Sequence, residues 1–315
     1  MGKVILITGA SSGIGFDAAK MLAVKGNKVY AAARRVERME PLREYGVVPV
    51  RLDVTDEESA RSCVETVLSD EGRIDVLINN AGFGYMGAVE TVSLEEARKQ
   101  MEVNVFGLAR LCSLVIPHMR EAGRGRIINT SSIAGKLVLQ FGGWYNVSKY
   151  SVEALSDALR MELRPFGISV VKVQPGGIKT EWGVIAAKHI EETSSGTPYE
   201  HAGAKEARLM RMAYGDLPFF SKRKASDRAA IAGNEAAKGA SDRDSEAAKG
   251  ASDRDSEAAS FQILSKPSVV ARAICRASLS RCPRAVYRVG RGAWLMTGLH
   301  AILPPRLWDA IMRMI

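Results

Sequence analysis

The sequence predicts one α/β domain, a doubly wound parallel sheet of about seven strands flanked by helices. Three observations carry that reading. Short apolar segments alternate with segments of helical period, which implies right-handed crossovers between parallel strands. The first apolar segment runs straight into a glycine-rich turn and then a helix. The chemically distinctive residues also cluster just after apolar segments, at the carboxyl ends of strands, where doubly wound sheets bind ligands.

The elements follow in order. Val4–Thr8, preceded by Lys3, is an almost unbroken apolar run, as expected of a strand buried on both faces. Gly9-Ala10-Ser11-Ser12-Gly13-Ile14-Gly15 comes next, then a helical pattern from Phe16 to Val24. Strand, turn and helix start make the phosphate cradle of a Rossmann-type dinucleotide fold. Glycines let the backbone approach a pyrophosphate, and the helix N-terminus offers unpaired N–H groups. The spacing is Gly-x-x-x-Gly-x-Gly, not the commoner Gly-x-Gly-x-x-Gly. Further strands are expected at Lys28–Ala33, Val48–Asp53, Val76–Asn79, Arg126–Thr130, Ser169–Gln174 and Val286–Val289. Helices are expected at Glu57–Ser69, Leu94–Met119, Tyr145–Arg164 and Val269–Ser280.

Residues 1–220 read as the dinucleotide-binding and catalytic core, and 261–315 as its completion with a substrate-cleft or interface segment. Between them, 221–260 reads as a polar, flexible insertion. Ala236–Glu246 is repeated without change as Ala247–Glu257, and neither copy holds a large apolar residue to offset its ordering entropy. Hydrophobic residues at 46% and charged ones at 25% describe an ordinary globular protein. The first strand starts too early for a signal peptide, and no apolar run is long enough for a confident membrane span. Cys63, Cys112, Cys275 and Cys282 lack metal-ligand spacing, as do His118, His189, His201 and His300, so no metal site is expected. A cytoplasmic protein with reduced thiols is the expectation.

Charge is uneven. Of the net +9, the segment from Phe261 onward carries nine basic residues against one acid, Asp309. No nucleic-acid motif accompanies them, so nucleic acid is discounted as a partner. The apolar stretch Gly292–Leu303 and a helix expected at Leu307–Ile315 could rest peripherally on an anionic membrane. Packing over the cleft or against a second subunit is the preferred reading.

Tyr145 and Lys149 are the strongest chemical signal. Four residues apart on a helix, a phenol and an ammonium share one face, one turn from each other. A fixed cation favours the phenolate, so Tyr145 is expected to exchange a proton near neutral pH, as carbonyl reduction or alcohol oxidation requires. Cofactor choice follows from charge. Enzymes reading the free ribose hydroxyl of NAD place an acid near the end of the second strand, whereas this strand ends in Arg34-Arg35. Two guanidiniums favour a 2′-phosphate, and so NADP (NADPH) over NAD.

With these residues in place, the chain resembles the short-chain dehydrogenase/reductase family. Thr8–Gly15, Asn79-Asn80-Ala81-Gly82, Asn104, Ser132, Tyr145 with Lys149, and Pro175-Gly176-Gly177 fall in that family's order and spacing. The likeness covers about residues 3 to 220 and resumes near 265. It implies roles. Tyr145 passes a proton to or from the substrate oxygen, Lys149 stabilises the phenolate and binds the nicotinamide ribose, and Ser132 hydrogen-bonds the substrate carbonyl. Asn104 bends its helix and holds a water linking Lys149 to solvent; it reads equally as a satisfied structural residue. Gly9, Ser11, Ser12, Gly13, Ile14 and Gly15 cradle the pyrophosphate, and Arg34 and Arg35 meet the 2′-phosphate. Asp53 and Val54 meet adenine, with Asp53 accepting from its amine. Asn80, Ala81 and Gly82 run beside the adenosine half, and Pro175, Gly176, Ile178 and Thr180 line the nicotinamide side.

Pro175–Thr180 and the late strand Val286–Val289 with its apolar tail resemble most the 17-beta-hydroxysteroid dehydrogenase-like branch. Phe83, Tyr85, Met86, Leu137, Leu139, Phe141, Trp144 and Trp182 flank the motifs, either as core or as an apolar cleft. They favour a hydrophobic carbonyl or alcohol over a sugar. The expected function is NADP(H)-dependent interconversion of a hydrophobic ketone or aldehyde and its alcohol. A 3-oxoacyl thioester reductase and a non-catalytic NADP sensor are the alternatives. The resemblance also implies a homodimer or homotetramer paired through the helices at Leu94–Met119 and Tyr145–Arg164.

Overall fold

The computed structural model describes residues 2–214 and 264–314, with side chains as far as Ile311. The insertion expected at 221–260 lies outside the described residues.

Seven parallel strands form the sheet: β1 (Val4–Thr8), β2 (Lys28–Ala33), β3 (Val48–Arg51), β4 (Val76–Asn79), β5 (Gly125–Thr130), β6 (Ile168–Pro175) and β7 (Val286–Val289), in the order β3-β2-β1-β4-β5-β6-β7. The chain builds outward from β1 to β3, then returns to the other side of β1 with β4. The switch point therefore lies between β1 and β4, where Ile7 pairs with both Ala31 and Ile78.

Side-chain alternation splits the strands between two cores. Ile5, Ile7, Val29, Ala31 and Val171 face helices α1 (Gly13–Val24) and α8 (Pro267–Leu279), where Leu22, Val270 and Ile274 are buried. Leu6, Tyr30, Leu77, Ile127 and Val170 face α2 (Glu57–Glu71), α4 (Gly107–Glu121) and α5 (Gly143–Leu163). Burial on both faces is why β1 and β4 read as continuous apolar runs.

Several boundaries differ from expectation for physical reasons. The helix expected over Leu94–Met119 is α3 (Leu94–Met101), a wider π turn over Glu102–Phe106, and then α4. A Ser93–Glu96 capping box starts α3. The strand expected to reach Asp53 ends at Arg51, because Asp53 turns back to accept from the amide and hydroxyl of Thr55. Two helices left unassigned by the sequence reading, α6 (Glu181–Ser194) and α7 (Glu200–Tyr214), follow β6 as an antiparallel pair. The tail forms α9 (Ala293–Ile302) and α10 (Pro305–Met314). Among the described residues, no helix is long and apolar enough to cross a membrane.

Candidate active site

The turn after β1 packs directly on the segment after β4. A Cβ at Gly9 (φ +66°) would lie 2.7 Å from the Ala81 Cα, and one at Gly15 would lie 2.4 Å from the Gly9 carbonyl oxygen, so both positions admit only glycine. Asn80 fastens the approach: its Nδ2 donates to the carbonyls of Thr8 (3.2 Å) and Gly9 (3.3 Å). The Thr8 hydroxyl accepts from the amides of Asn80 and Ala81, both at 3.0 Å. Ser12 stands at the N-cap of α1 without a side-chain cap bond, and the helix's first turn carries no acid. The Ser11 to Ile14 stretch is only half-buried. Open amides, a helix N-terminus and a floor admitting no side chain fit a dinucleotide pyrophosphate.

Arg34 and Arg35 follow β2 with exposed side chains. Burial pushes the Asp53 carboxyl up, but hydrogen bonds from Thr55 and the nearby Arg34 charge outweigh it and hold it below the ordinary value. Val54 turns its side chain into the core against Gly107, while its carbonyl accepts from Arg110 Nη1 at 2.6 Å. Thr180, the N-cap of α6, faces Gly13 across the cradle: a Cβ on Gly13 would lie 3.4 Å from Thr180 Cγ2. Pro175 pairs with Val289, the Gly176 amide donates to the Val289 carbonyl at 2.7 Å, and Ile178 is buried beside them.

The structure brings Asn104, Ser132, Tyr145 and Lys149 together at the carboxyl edge of β4 and β5. Lys149 is buried on α5 and its Nζ donates to the Thr130 carbonyl at 3.1 Å, lying 5.8 Å from the Tyr145 ring centroid. Ser132 caps a short turn, its Oγ accepting from the Ala134 amide at 3.1 Å and donating to the Pro175 carbonyl at 3.5 Å, and its hydroxyl is near enough to Tyr145 to pull the phenol's pKa down in part. Asn104 clasps Phe83 from both sides: Oδ1 accepts from its amide (3.0 Å) and Nδ2 donates to its carbonyl (2.8 Å). Nδ2 also reaches the Ser148 hydroxyl at 3.0 Å. Those bonds sit on the π turn, Glu102–Phe106. A Cβ at Gly82 would lie 3.1 Å from Asn104 Oδ1 and 3.6 Å from Lys149 Nζ, so both groups face the same glycine.

One expectation is overturned. The lysine was expected to ease ionisation of Tyr145, yet burial pushes the phenol up to about 12, with the Ser132 hydrogen bond pulling only partly back. Burial likewise lowers the Lys149 ammonium to about 8, against the opposing charge of Glu153. The enclosure outweighs the pairing. Its walls are aromatic: Trp182 stacks on Tyr145 with centroids 5.2 Å apart, and a Cβ at Gly84 would sit 2.9 Å from Tyr145 Cδ2 and 3.0 Å from Trp182 Nε1. Met86, Phe141, Ala186, Ala187 and Ile190 form a third apolar cluster against which Tyr145, Trp182 and Tyr199 pack. Phe83 meets Tyr85 edge-on at 4.9 Å, and Tyr85 lies 4.6 Å from the His189 ring. Leu137 is core, Leu139 is half-buried, and Trp144 donates to the Val89 carbonyl at the rim (3.4 Å).

Three residues absent from the sequence reading join this region. Tyr214, at the end of α7, has its phenol pushed up to about 12 by burial and then by the proximity of Tyr145. Glu153 lies one turn beyond Lys149 on α5, and Lys172 faces it from β6 at 2.9 Å. No motif spacing announces any of them. Burial pushes the Glu153 carboxyl up, but bonds from Gln174, Ser131 and Lys172 outweigh it and keep it below the ordinary value. Ser131 thus points inward to Glu153 while Ser132 points to Tyr145. Among the described residues, no group of three or more His, Cys, Asp or Glu could hold a metal ion.

Glycine cradle, switch-point crevice and a half-buried phenol beside a buried lysine define a nicotinamide-dinucleotide oxidoreductase. The family model described as short chain dehydrogenase matches residues 3–189, and the chain belongs to that family. A 3-ketodihydrosphingosine reductase from Bacteroides thetaiotaomicron is 46% identical over 179 residues, a match covering 56% of this chain and 65% of that relative. A short-chain dehydrogenase structure from Streptomyces avermitilis superposes with a TM-score of 0.68 at 27% identity, covering 99% of this chain and 98% of that one. A metagenomic short-chain oxidoreductase solved in complex with NADP is 33% identical with a TM-score of 0.54, covering 62% of this chain and 91% of that one.

Proposed function

We propose that the chain is an NADPH-dependent reductase of a ketone carried on an apolar scaffold, with a long-chain amphiphilic ketone as the best-supported substrate class. The observation that carries the reading is the half-buried Tyr145 phenol, set beside Ser132 and walled by Trp182 and the Met86–Phe141 cluster. A phenol pushed up to about 12 is held protonated, the form that gives a proton to a carbonyl oxygen. Ser132 and Tyr145 bind that oxygen, and Tyr145 protonates it as the carbonyl carbon is reduced. The bound dinucleotide supplies the hydride. Lys149 binds the nicotinamide ribose hydroxyls and its charge balances the phenolate left behind. Asn104 orders the Phe83 backbone over this pair, and Trp182 with the α6–α7 pair excludes water.

Arg34 and Arg35 would hold the 2′-phosphate and so select NADPH, and the NADP complex of the metagenomic relative supports that choice. The Bacteroides relative's ketone-bearing lipid supports the long-chain reading over the hydroxysteroid one. The exposed apolar side chains of Phe106, at the end of the π turn, and of Val147 and Tyr150 on α5 support self-association there.

The test follows NADPH oxidation with three ketone panels: long-chain amino ketones, 3-oxoacyl thioesters and steroid ketones, each with Tyr145→Phe alongside. Turnover of the first panel by the parent, lost by about 10²–10⁴ in the variant, is the expected result. Turnover of steroids alone returns the chain to the hydroxysteroid reading. NADPH binding without turnover of any panel overturns the reductase reading. Changing Arg34 and Arg35 together to Ala is expected to raise the KM for NADPH while leaving that for NADH near its starting value.

A further inference from the structure

We infer that the outer face of α9 is a docking surface for an anionic lipid bilayer. A helix on a protein surface normally turns its apolar stripe inward and its polar residues to water. Helix α9 is apolar on its outward side as well. Its exposed positions are Trp294, Leu295, Gly298, Ala301 and Ile302, all apolar, and Trp294, Leu295 and Ile302 are 66%, 65% and 77% exposed. Its one hydroxyl residue, Thr297, is buried and donates to the Ala293 carbonyl at 2.8 Å. The stripe continues past Pro304-Pro305 to Leu307, which is 49% exposed. Nothing in the described chain covers this face.

Charge selects the occupant. Arg291 and Arg306 are exposed and flank the stripe in sequence, and Arg288 lies over the Trp294 ring, its guanidinium carbon 4.7 Å from the centroid. Asp309 is the only acid from Phe261 to the last residue. Apolar side chains that can enter the acyl boundary, an interfacial tryptophan and flanking cations are the pattern of a helix lying in a bilayer surface. A second copy fits poorly, because a two-fold axis through α9 would set one protomer's arginines against the other's. The exposed apolar side chains on the π turn and α5 offer self-association a separate surface.

The location gives the docking a use. Helix α9 starts beside the nicotinamide end of the crevice: a Cβ at Gly176 would lie 3.3 Å from the Ala293 Cβ. A bilayer held on α9 therefore brings amphiphiles to the substrate side of the site, a consequence that rests on the proposed reductase reading although the docking does not.

The experiment is sedimentation of the full chain with phosphatidylcholine vesicles, alone or mixed with phosphatidylglycerol, at low and high salt. Its comparator carries Trp294→Ser, Leu295→Ser and Ile302→Ser together. The parent is expected to bind the mixed vesicles at least about tenfold more tightly than the neutral ones, to weaken with salt, and to lose most of the binding in the triple variant. Equal binding by parent and variant, or none by the parent, overturns the inference. A lower oligomeric mass for the variant by light scattering, without vesicle binding by the parent, instead assigns the face to a second copy. NADPH reduction of a short, water-soluble ketone is expected to be the same in parent and variant. If neither protein reduces any ketone yet the parent binds vesicles, the reductase reading fails and the docking stands.

Discussion

Two buried lysines, Lys149 on α5 and Lys172 on the β6 strand beneath it, are furnished in opposite ways. Lys172, 4% exposed, sits between Glu153 Oε2 at 2.9 Å and Asp157 Oδ2 at 2.7 Å. Lys149, 6% exposed, has the Thr130 carbonyl at 3.1 Å and no carboxylate within ion-pair distance among the described residues. One turn of helix separates the two environments. Lys172 has its charge compensated by carboxylates and joins α5 to β6. Lys149 is a partly destabilised cation beside Tyr145, the state expected of a group kept for chemistry. Burial alone therefore does not separate a structural lysine from a functional one; the partners do.

The largest effect expected from this contrast is at Lys149. Replacing it with Met is expected to lower the reduction rate by about 10²–10⁴ while making the fold more stable. The stability follows from the sign of the shift. Burial lowers the folded ammonium from 10.5 to about 8, so between those values the unfolded chain binds more protons and parent stability rises with pH. Below about pH 8 the parent carries the full cost of burying the charge, on the order of 3 kcal/mol. Denaturant unfolding of parent and Lys149→Met near neutral and near pH 10 measures it. The gap between the two should close as pH rises; a gap independent of pH would mean that Lys149 is not held below its ordinary value.

Lys172→Met should do the opposite, leaving activity per folded molecule largely intact and destabilising the chain by about 3–5 kcal/mol, the usual result of stranding a buried carboxylate. Lys136, whose Nζ lies 3.2 Å from Glu153 Oε2 but is more exposed, offers only partial compensation. Adding Glu153→Gln removes the stranded charge and is expected to restore much of the loss. If the double variant is no more stable than the single one, the cost lies in packing rather than in charge.

How much of this was visible in the sequence depends on the range of the interaction. The glycine cradle, the strands and the Tyr145–Lys149 face are local patterns, and they lie within a residue or two of where periodicity puts them. The π turn at Asn104 was expected as a bend but not as a break, because a helical pattern runs through it with little change of phase. Helices α6 and α7 escaped notice because their short apolar stripe is made largely of alanine. Glu153 and Lys172 were invisible for a different reason. A glutamate on an amphipathic helix and a lysine in a strand each read as surface residues, and only the crossing of α5 over β6 buries them together. The Tyr145 shift belongs to the same class. Its nearest charge, Lys149, is local, but Trp182 and the α6–α7 pair that desolvate it lie far along the chain.

The smallest effect, and the sharpest, is expected from Glu153→Gln alone. Glu153 touches neither Tyr145 nor the Lys149 ammonium within hydrogen-bonding reach, yet its charge supports that ammonium from one turn away. The groups around it are Lys172 and Gln174 from β6, Lys136 and Ser131 from the loop carrying Ser132, and Lys149 and Asp157 on its own helix. Gln is isosteric and keeps a hydrogen bond to its neighbours, so packing changes little. Without the carboxylate charge, and with the Lys172 cation retained, Lys149 should lose its proton at lower pH. The alkaline fall in kcat/KM for ketone reduction should therefore move to lower pH in the variant, with kcat in the plateau reduced only a few-fold. If Glu153 only braces α5 against β6, the variant lowers kcat at every pH and leaves the limb in place. A limb that shifts makes Glu153 a positioning and tuning residue for Lys149, and it joins the paired and unpaired lysines into one electrostatic unit.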